Sequence, residues 1–328
     1  MKKILVTGGF GFLGSHLVEE LVKNPDNLVY VVDNLSTSPI DYKQYLLEIG
    51  QPKNLNFDIC SVADFSEKNK EKFDQIYHLA SVVGPAGVLN HAGKIIKSIV
   101  DDAYRLIDLA LSSGAKLVDI STSEIYGGGK EGYCKEDLQI VVPPKTTIRL
   151  EYAVGKLAVE TALINTSKVT DLDVAIVRPF NISGPRQSGR GGFVLPRFIK
   201  QAFEQKPITV FGKGSQIRAF THVKDMAQGI IKTMEKGKRG EAYNIGNANN
   251  KITILELAEK VIKAAKSKSR IDFVDPKKIY GPFYEEAADK FPDAKKALVE
   301  LGWEPKYNID RVIFDTIEYF KSHKFNFD

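Results

Sequence analysis

Short apolar runs alternate with helical patterns along the first half of the chain. The apolar runs predict strands at 3–7, 28–33, 54–57, 75–79, 116–121 and 174–179. Apolar residues at helical spacing fill the intervals, most clearly over 92–112 and 152–165. Strands that alternate with helices predict an α/β fold, a doubly wound parallel sheet of the Rossmann type with helices on both faces.

The pattern changes after Arg178. Residues 181–193 are rich in Gly, Ser, Arg and Pro, which indicates a functional loop. Later patterns predict helices at 195–204, 221–235, 254–268 and 293–301, and a strand at 209–211. Because the helix at 221–235 is expected to return to the first domain, we predict a discontinuous boundary. The first domain covers 1–178 plus 222–245, and a smaller, mostly α lobe covers 179–221 plus 246–328.

A glycine-rich loop, TGGFGFLG at 7–14, joins the first predicted strand to the following helix pattern. Its glycines let the backbone turn tightly and approach a pyrophosphate, which binds the free N–H groups and positive dipole end of a helix. The strand before and the helix after make this motif specific for a dinucleotide. The predicted binding residues in the loop are Gly8, Gly11, Phe12, Leu13 and Gly14.

An acid at the end of the second predicted strand indicates which dinucleotide binds. Asp33 lies about 20 residues past the glycines, where a ribose hydroxyl needs an acceptor. Its carboxylate repels a 2′-phosphate. The residues that follow it, from Asn34 to Ser36, include no Arg or Lys. NAD is therefore predicted over NADP.

Two side chains indicate acid–base chemistry. Tyr152 and Lys156 are four positions apart at the head of a predicted helix, so both project from one face. A nearby ammonium and the positive nicotinamide favour a phenolate. We expect them to lower the pKa of Tyr152 from about 10 towards neutrality, as removal of an alcohol proton requires.

Polar side chains also follow two predicted strands. In open α/β sheets ligands bind beyond the carboxyl ends of the strands. Residues 78–81 (HLAS) are therefore expected at this crevice, with His78 interpreted as a packed structural residue. The candidate catalytic residues after the strand at 116–121 are Thr122, Ser123 and Glu124.

Composition narrows the function classes. The 328 residues are 43% hydrophobic and 27% charged with a net charge of +5, which is typical of a globular protein. The lysines are dispersed, so no nucleic-acid surface is expected. Cys60 and Cys134 fit no metal or redox spacing, and no apolar stretch has the length of a membrane span. Met1 leads directly into a strand pattern without a signal peptide, and we predict a cytoplasmic enzyme without a metal.

Together the motifs resemble those of the extended short-chain dehydrogenase/reductase family, which contains nucleotide-sugar epimerases, dehydratases and decarboxylases. The matching segments are TGGFGFLG (7–14), DN (33–34), DI (58–59), HLAS (78–81), STSEIYG (121–127), YAVGK (152–156), RPFNISGPR (178–186), QIRAFTHVKD (216–225), YNIGN (243–247) and LGWEP (301–305). The resemblance implies an NAD-dependent enzyme that oxidises a nucleotide-sugar at C4 to a 4-keto intermediate. It also implies a homodimer formed through the helices at about 92–112 and 152–165.

The resemblance implies a role for each matching residue. Thr122 would donate a hydrogen bond to the sugar O4, Tyr152 would take its proton, and Lys156 would hold the nicotinamide ribose. Arg218 would neutralise the diphosphate, as a planar fork of donors does well. The other implied cofactor contacts are Asp58, Ile59, Leu79, Ala80 and Ser81, and the other implied nucleotide-sugar contacts are Asn181, Val194, Leu195 and Phe211.

Several outcomes remain open after C4 oxidation. Family dehydratases tend to carry Thr-Asp-Glu at 122–124, and Ser123 here argues against dehydration. A 4-epimerase is the leading prediction; the alternatives are a UDP-glucuronate-type decarboxylase, a net 4-dehydrogenase, a 4,6-dehydratase and a non-catalytic NAD-binding scaffold. Members that bind UDP-sugars often have an Arg-rich stretch before the late Pro-Asp. This chain has 288–291 (ADKF) there, so the nucleotide base stays open.

Overall fold

The computed structural model describes residues 1–127, 132–140, 147–189, 192–284 and 289–323. Positions 190–191 of the predicted functional loop and position 288 of the late segment lie outside these residues.

Fifteen strands are present in the described residues, most of them short. They are β1 Lys2–Thr7, β2 Asn27–Asp33, β3 Leu55–Ile59, β4 Gln75–His78, β5 Lys116–Ile120, β6 Tyr133–Cys134, β7 Asp173–Pro179, β8 Ile182–Ser183, β9 Ile208–Phe211, β10 Ile217–Ala219, β11 Thr221–His222, β12 Glu241–Ile245, β13 Lys251–Thr253, β14 Ile271–Val274 and β15 Phe291–Pro292.

Helices separate these strands. The α-helices are α1 Phe12–Val22, α2 Tyr42–Glu48, α3 Val62–Lys68, α4 Pro85–Asn90, α5 Ile95–Ser113, α6 Ile148–Val169, α7 Val194–Phe203, α8 Val223–Lys236, α9 Ile254–Ala264, α10 Lys277–Tyr280 and α11 Ile309–Ser322. Shorter 3-10 turns cover Ser123–Tyr126 and Ala248–Asn250, and a π-helical turn covers Ala297–Leu301.

A seven-stranded sheet in the order β12-β7-β5-β4-β1-β2-β3 forms the centre of the molecule. Every neighbouring pair in it is parallel. The doubly wound fold class is therefore confirmed, together with all six predicted strands of the first half. The seventh strand, β12, was not predicted, because its sequence EAYNI mixes polar and apolar residues without a clear period.

Successive residues of the central strands face opposite sides of the sheet, and each side is covered by its own helices. On β1, Val6 packs with residues of α1 and α8, whereas Leu5 packs with residues of α5 and α6. Both side chains are fully buried. Each contributes roughly 1.5–3 kcal/mol relative to an exposed position, so the sheet is stabilised from both faces.

Helix α6, Ile148–Val169, extends beyond its predicted bounds of 152–165 at both ends. Helix α6 begins at Ile148 rather than at Tyr152, because the Thr147 side chain caps it by accepting from the Leu150 N–H at 3.3 Å. Of the segment predicted as a helix at 293–301, residues 295–301 are helical, and Ala297–Leu301 form a π turn. The terminal helix α11 was not predicted.

The second lobe has its own apolar core, drawn from α7, α9 and α11 together with β9. The chain then returns to the first core: Ala297, Leu301 and Trp303 pack in the cluster that contains Val6. The Trp303 indole donates to the Asp225 carbonyl on α8 at 2.9 Å. Ala297, Leu301 and Trp303 belong to 246–328, which was assigned to the second lobe from sequence. The division into two domains stays a prediction.

Candidate active site

A cleft of about 990 Å³ opens at the carboxyl ends of the central strands and continues along the second lobe. It brings together residues from distant parts of the sequence. The predicted site residues that line it are Gly8, Gly11, Phe12, Leu13, Gly14, Asp33, Asn34, Ser36, Leu79, Ala80, Ser81, Thr122, Ser123, Glu124, Tyr152, Lys156, Asn181, Val194, Phe211 and Arg218.

The glycine loop approaches its neighbours so closely that side chains do not fit. A Cβ on Gly14 would lie 2.0 Å from the Gly8 carbonyl oxygen, and one on Gly8 would lie 2.8 Å from the Ala80 nitrogen. Gly8 also has a φ of +71°. Gly11 caps α1 without any side-chain hydrogen bond. The first N–H groups of that helix are therefore suited to donate hydrogen bonds to an anion in the cleft.

Asp33 organises the loop as well as facing the cleft. Its carboxylate accepts from the Phe10 N–H at 2.9 Å and from the Leu35 N–H at 2.8 Å. Burial raises the pKa of Asp33, and these backbone donors oppose the shift. The Asp33 side chain therefore holds together the segments that follow β1 and β2, at the position predicted for the ribose.

Three predicted contact residues lie outside the lining of the cleft. The Asp58 carboxylate accepts from the Tyr30 hydroxyl at 2.8 Å, and Ile59 is exposed. The next residues along, Cys60, Ser61 and Val62, line the cleft instead. Leu195 is fully buried in the second-lobe core. The adenine role of Asp58 and Ile59 and the substrate role of Leu195 stay predictions.

Thr122 and Tyr152 share a hydrogen bond at the sheet end of the cleft. The Thr122 hydroxyl also accepts from the Glu124 N–H at 3.1 Å, which caps the short helical turn after β5. Burial raises the pKa of Tyr152, and the charge of Glu124 adds to the shift. The direction differs from the sequence expectation, because desolvation of the phenol opposes the stabilisation expected from the neighbouring ammonium.

Lys156 is almost fully buried one turn along α6 from Tyr152. Its ammonium donates to the Ile120 carbonyl at 2.7 Å. Burial lowers the pKa of Lys156, and the carboxylates of Asp119, Glu160 and Asp102 oppose that shift.

Glu124 lies between two cations that sequence reasoning missed. Arg149 donates to one carboxylate oxygen from Nε at 2.8 Å, and the buried Lys290 donates to the other. Burial alone would raise the pKa of Glu124, but Lys290 and Arg149 lower it to about 2. Arg149 precedes Tyr152 by three positions, a helical spacing that could have revealed it. Nothing local in the sequence connects Lys290 to Glu124.

The far end of the cleft carries arginine and aromatic side chains. The Arg218 guanidinium donates to the Asp289 carboxylate at 3.2 Å and to the Ile217 carbonyl at 2.8 Å. The guanidinium of Arg197, a residue not singled out from sequence, lies 3.9 Å from the centre of the Phe211 ring. This end combines positive charge with flat apolar surface.

Comparison with known proteins identifies the group to which these motifs belong. The model of the NAD dependent epimerase/dehydratase family matches residues 4–246. The chain belongs to that family. The predicted resemblance is therefore confirmed.

Members of this NAD-dependent epimerase/dehydratase family resemble the chain over nearly its whole length. A UDP-N-acetyl-alpha-D-glucosaminuronate decarboxylase of Bacillus cytotoxicus is 32% identical, with 98% of each chain covered. UDP-glucuronic acid decarboxylase 6 of Arabidopsis thaliana is 35% identical, covering 94% of this chain and 85% of that protein. Among solved structures, UDP-glucuronic acid 4-epimerase from Bacillus cereus, in complex with UDP-glucuronic acid and NAD, has a TM-score of 0.84 and 27% identity, covering 98% of this chain and 99% of that one.

The family's cofactor is NAD, and the cleft fits it. The close approaches at Gly8 and Gly14 form a cradle that a Cβ would fill. Among the described residues, Ser81 Oγ, Ser121 Oγ and Asn181 Nδ2 are buried without a hydrogen-bond partner. All three belong to cleft-lining residues. Buried polar atoms require partners, so these atoms are suited to a polar ligand in the cleft.

Proposed function

We propose that the protein decarboxylates a UDP-linked uronic acid sugar through a 4-keto intermediate. The observation that carries this proposal is the pairing of Glu124 with both Arg149 and Lys290. On this basis we favour the decarboxylase alternative over the 4-epimerase predicted from sequence. The decarboxylases named above, each at least 32% identical, support the same choice and the uridine nucleotide.

Charge is the first reason. Two cations around one carboxylate leave the cluster with one positive charge in excess, and Arg149 lines the cleft. A uronate carries a carboxylate that such a cluster attracts, whereas a neutral hexose gains nothing from it. The cluster lies beside Thr122 and Tyr152, where the sugar C4 hydroxyl is expected.

The same pairing argues against dehydration. Removal of water across C5–C6 needs an acid and a base with pKa values near the working pH. Glu124 has a pKa lowered to about 2 by its two cations, after burial has acted in the opposite direction. It is therefore a fixed anion and a weak base, and its neighbour is Ser123 rather than a second acid.

The chain's own residues account for the proton transfer at the sugar O4. When bound, NAD supplies the hydride acceptor that turns the C4 alcohol into a ketone and returns the hydride to carbon later. Thr122 orients the sugar O4, and Tyr152 takes its proton. The resulting ketone is β to the C6 carboxylate. The C5–C6 bond then breaks, CO2 leaves with C6, and the electron pair forms a C4 enolate that is protonated at C5.

A 4-epimerase is the second candidate. The hydrogen-bonded Thr122 and Tyr152 suffice for C4 inversion, and the similarity to the Bacillus cereus 4-epimerase extends over 98% of the chain. In that case the keto-sugar rotates in the cleft before it is reduced again, and it keeps its carboxylate.

One experiment separates these outcomes. The purified protein is incubated with UDP-glucuronate, UDP-N-acetylglucosaminuronate, UDP-glucose and UDP-N-acetylglucosamine while CO2 and products are followed by NMR. We expect CO2 and a UDP-pentose from a uronate substrate. A C4-inverted uronate or hexose without CO2 would establish epimerisation, stoichiometric NADH would indicate a net dehydrogenase, and the absence of turnover would favour an NAD-binding scaffold.

We also propose a homodimer. Helix α5 exposes Ile96, Tyr104 and Leu111, an apolar surface for which α5 and α6 of a second copy are suitable partners. Across the described residues, no helix combines the length and apolar character needed to cross a membrane. The cytoplasmic location stays a prediction.

A further inference from the structure

A row of buried polar side chains crosses the sheet beneath Lys156. Thr7 on β1, His78 on β4 and Asp119 on β5 are adjacent in register. All three are almost fully buried. The row has no part in the chemistry proposed above. It connects the start of the glycine loop, at Thr7, to β5, whose Ile120 carbonyl accepts a hydrogen bond from Lys156.

A hydrogen bond joins the first two members of this row. The Ala80 N–H donates to the Thr7 hydroxyl at 3.4 Å, and that hydroxyl shares a hydrogen bond with His78 Nδ1 at 2.8 Å. Burial lowers the pKa of His78 to about 3, with Lys156 contributing, so the imidazole is neutral. Its Nε2 faces Asp119 Oδ1 at 4.0 Å.

Asp119 is a buried carboxylate without a cation in direct contact among the described residues. Its Oδ2 has no hydrogen-bond partner there. Burial raises the pKa of Asp119 to about 6, and Lys156 is the charge that opposes the rise. A buried charge with so few partners requires a counter-ion.

The buried ammonium of Lys156 in turn requires a negatively charged partner. The carboxylates around it are Asp119 on β5, Asp102 on α5 and Glu160 on α6. Glu160 is already engaged by Arg178, whose Nη2 donates to it at 2.7 Å. Asp102 is only partly buried and lines the cleft, which leaves Asp119 as the fully enclosed partner.

We propose that Asp119 is a positioning residue of the reaction. Its buried carboxylate, which faces His78, is the counter-ion that keeps the Lys156 ammonium charged and in place beside Tyr152. This inference rests on the role given to Lys156 under the proposed function. The groups that share the environment of Lys156 are His78, Asp102, Asp119, Tyr152 and Glu160, with Arg178 beyond Glu160.

The first test uses the protein without added nucleotide, so it is independent of turnover. Tm is measured for the parent, Asp119→Asn, Lys156→Met and the double variant. Removing Lys156 leaves an uncompensated buried carboxylate, so Asp119→Asn should lower Tm in the parent and raise it, or lower it much less, in the Lys156→Met background. Equal shifts in both backgrounds would overturn the proposal.

The second test is the pH profile of kcat/KM. The negative charge of Asp119 raises the pKa of both Tyr152 and Lys156. Asp119→Asn should therefore move the whole profile to lower pH by about one unit, whereas purely structural damage lowers the amplitude without moving the limbs. Asp108→Asn, at an exposed position of the same helix as Asp102, is the matched control and should leave both limbs in place. An unmoved profile in Asp119→Asn would contradict the inference even if turnover confirms the proposed function.

Discussion

Lys290 donates a hydrogen bond to Glu124 across 166 positions of sequence. The contact joins the segment before β15 to the turn after β5, and Arg149 completes it from α6. Because the pair joins residues far apart in sequence, the charge state of the candidate active site depends on tertiary folding. Lys290 belongs to the late segment ADKF at 288–291.

Replacing Lys290 tests that relationship. In Lys290→Met, the pKa of Glu124 should rise from about 2 towards its ordinary value, since one of its two cations is lost. We expect kcat/KM for UDP-glucuronate to fall about 10- to 100-fold, as for loss of a charged hydrogen bond, with the acid limb moved to higher pH. The measurement is steady-state CO2 release between pH 5 and 9. Lys295→Met, at an exposed lysine nearby, should behave like the parent.

Tyr152 is expected to control proton transfer without holding the fold. Tyr152→Phe removes only the hydroxyl that is hydrogen-bonded to Thr122, so we expect kcat to fall about 10²- to 10⁴-fold with NAD still bound. Product formation and the NAD content of the purified protein are measured together. Tyr133→Phe changes an exposed tyrosine that does not line the cleft and should retain turnover. Retained turnover in Tyr152→Phe itself would remove Tyr152 from the chemistry.

The Asp33 carboxylate should determine both affinity for NAD and selection against NADP. In Asp33→Asn the side chain keeps its size but loses the charge that accepts from Phe10 and Leu35. We expect about tenfold weaker NAD binding and a smaller preference over NADP. Calorimetric titration of cofactor-free protein measures both. Asp26→Asn, at an exposed position before β2, is the control; unchanged affinities in both variants would contradict the ribose role.

The glycine loop should reject even one methyl group. A Cβ in Gly14→Ala would lie 2.0 Å from a backbone oxygen, and overpacking of this kind lowers the free energy of unfolding by about 1–3 kcal/mol or more. NAD binding should be lost as well. Gly50→Ala provides the comparison: its φ is +79° but no atom lies within 4 Å of the new Cβ. It should cost about 1 kcal/mol and bind NAD normally in the same titration.

Local signals were enough to predict much of the fold. Apolar runs located six strands of the sheet, because most of these runs are buried on both faces and carry their own signal; the edge strand β3 is largely exposed. The glycine loop, Asp33, and the spacing of Tyr152 and Lys156 are likewise local patterns. Strand β12 escaped prediction because its mixed sequence is ordered by β7, against which it pairs. Helix α11 was missed although its buried residues Val312, Ile313, Ile317 and Phe320 recur at helical spacing.

The sequence by itself determined the fold class, the dinucleotide loop and the family motifs, since these depend on neighbouring residues and on strand or helix periodicity. Tertiary structure alone decided which charges meet. Lys290 reaches Glu124, and Asp119 shares the buried environment of Lys156, because folding brings separate elements within a few ångströms. Electrostatic energy depends on that distance and on burial, and neither quantity can be calculated from the order of residues along a chain.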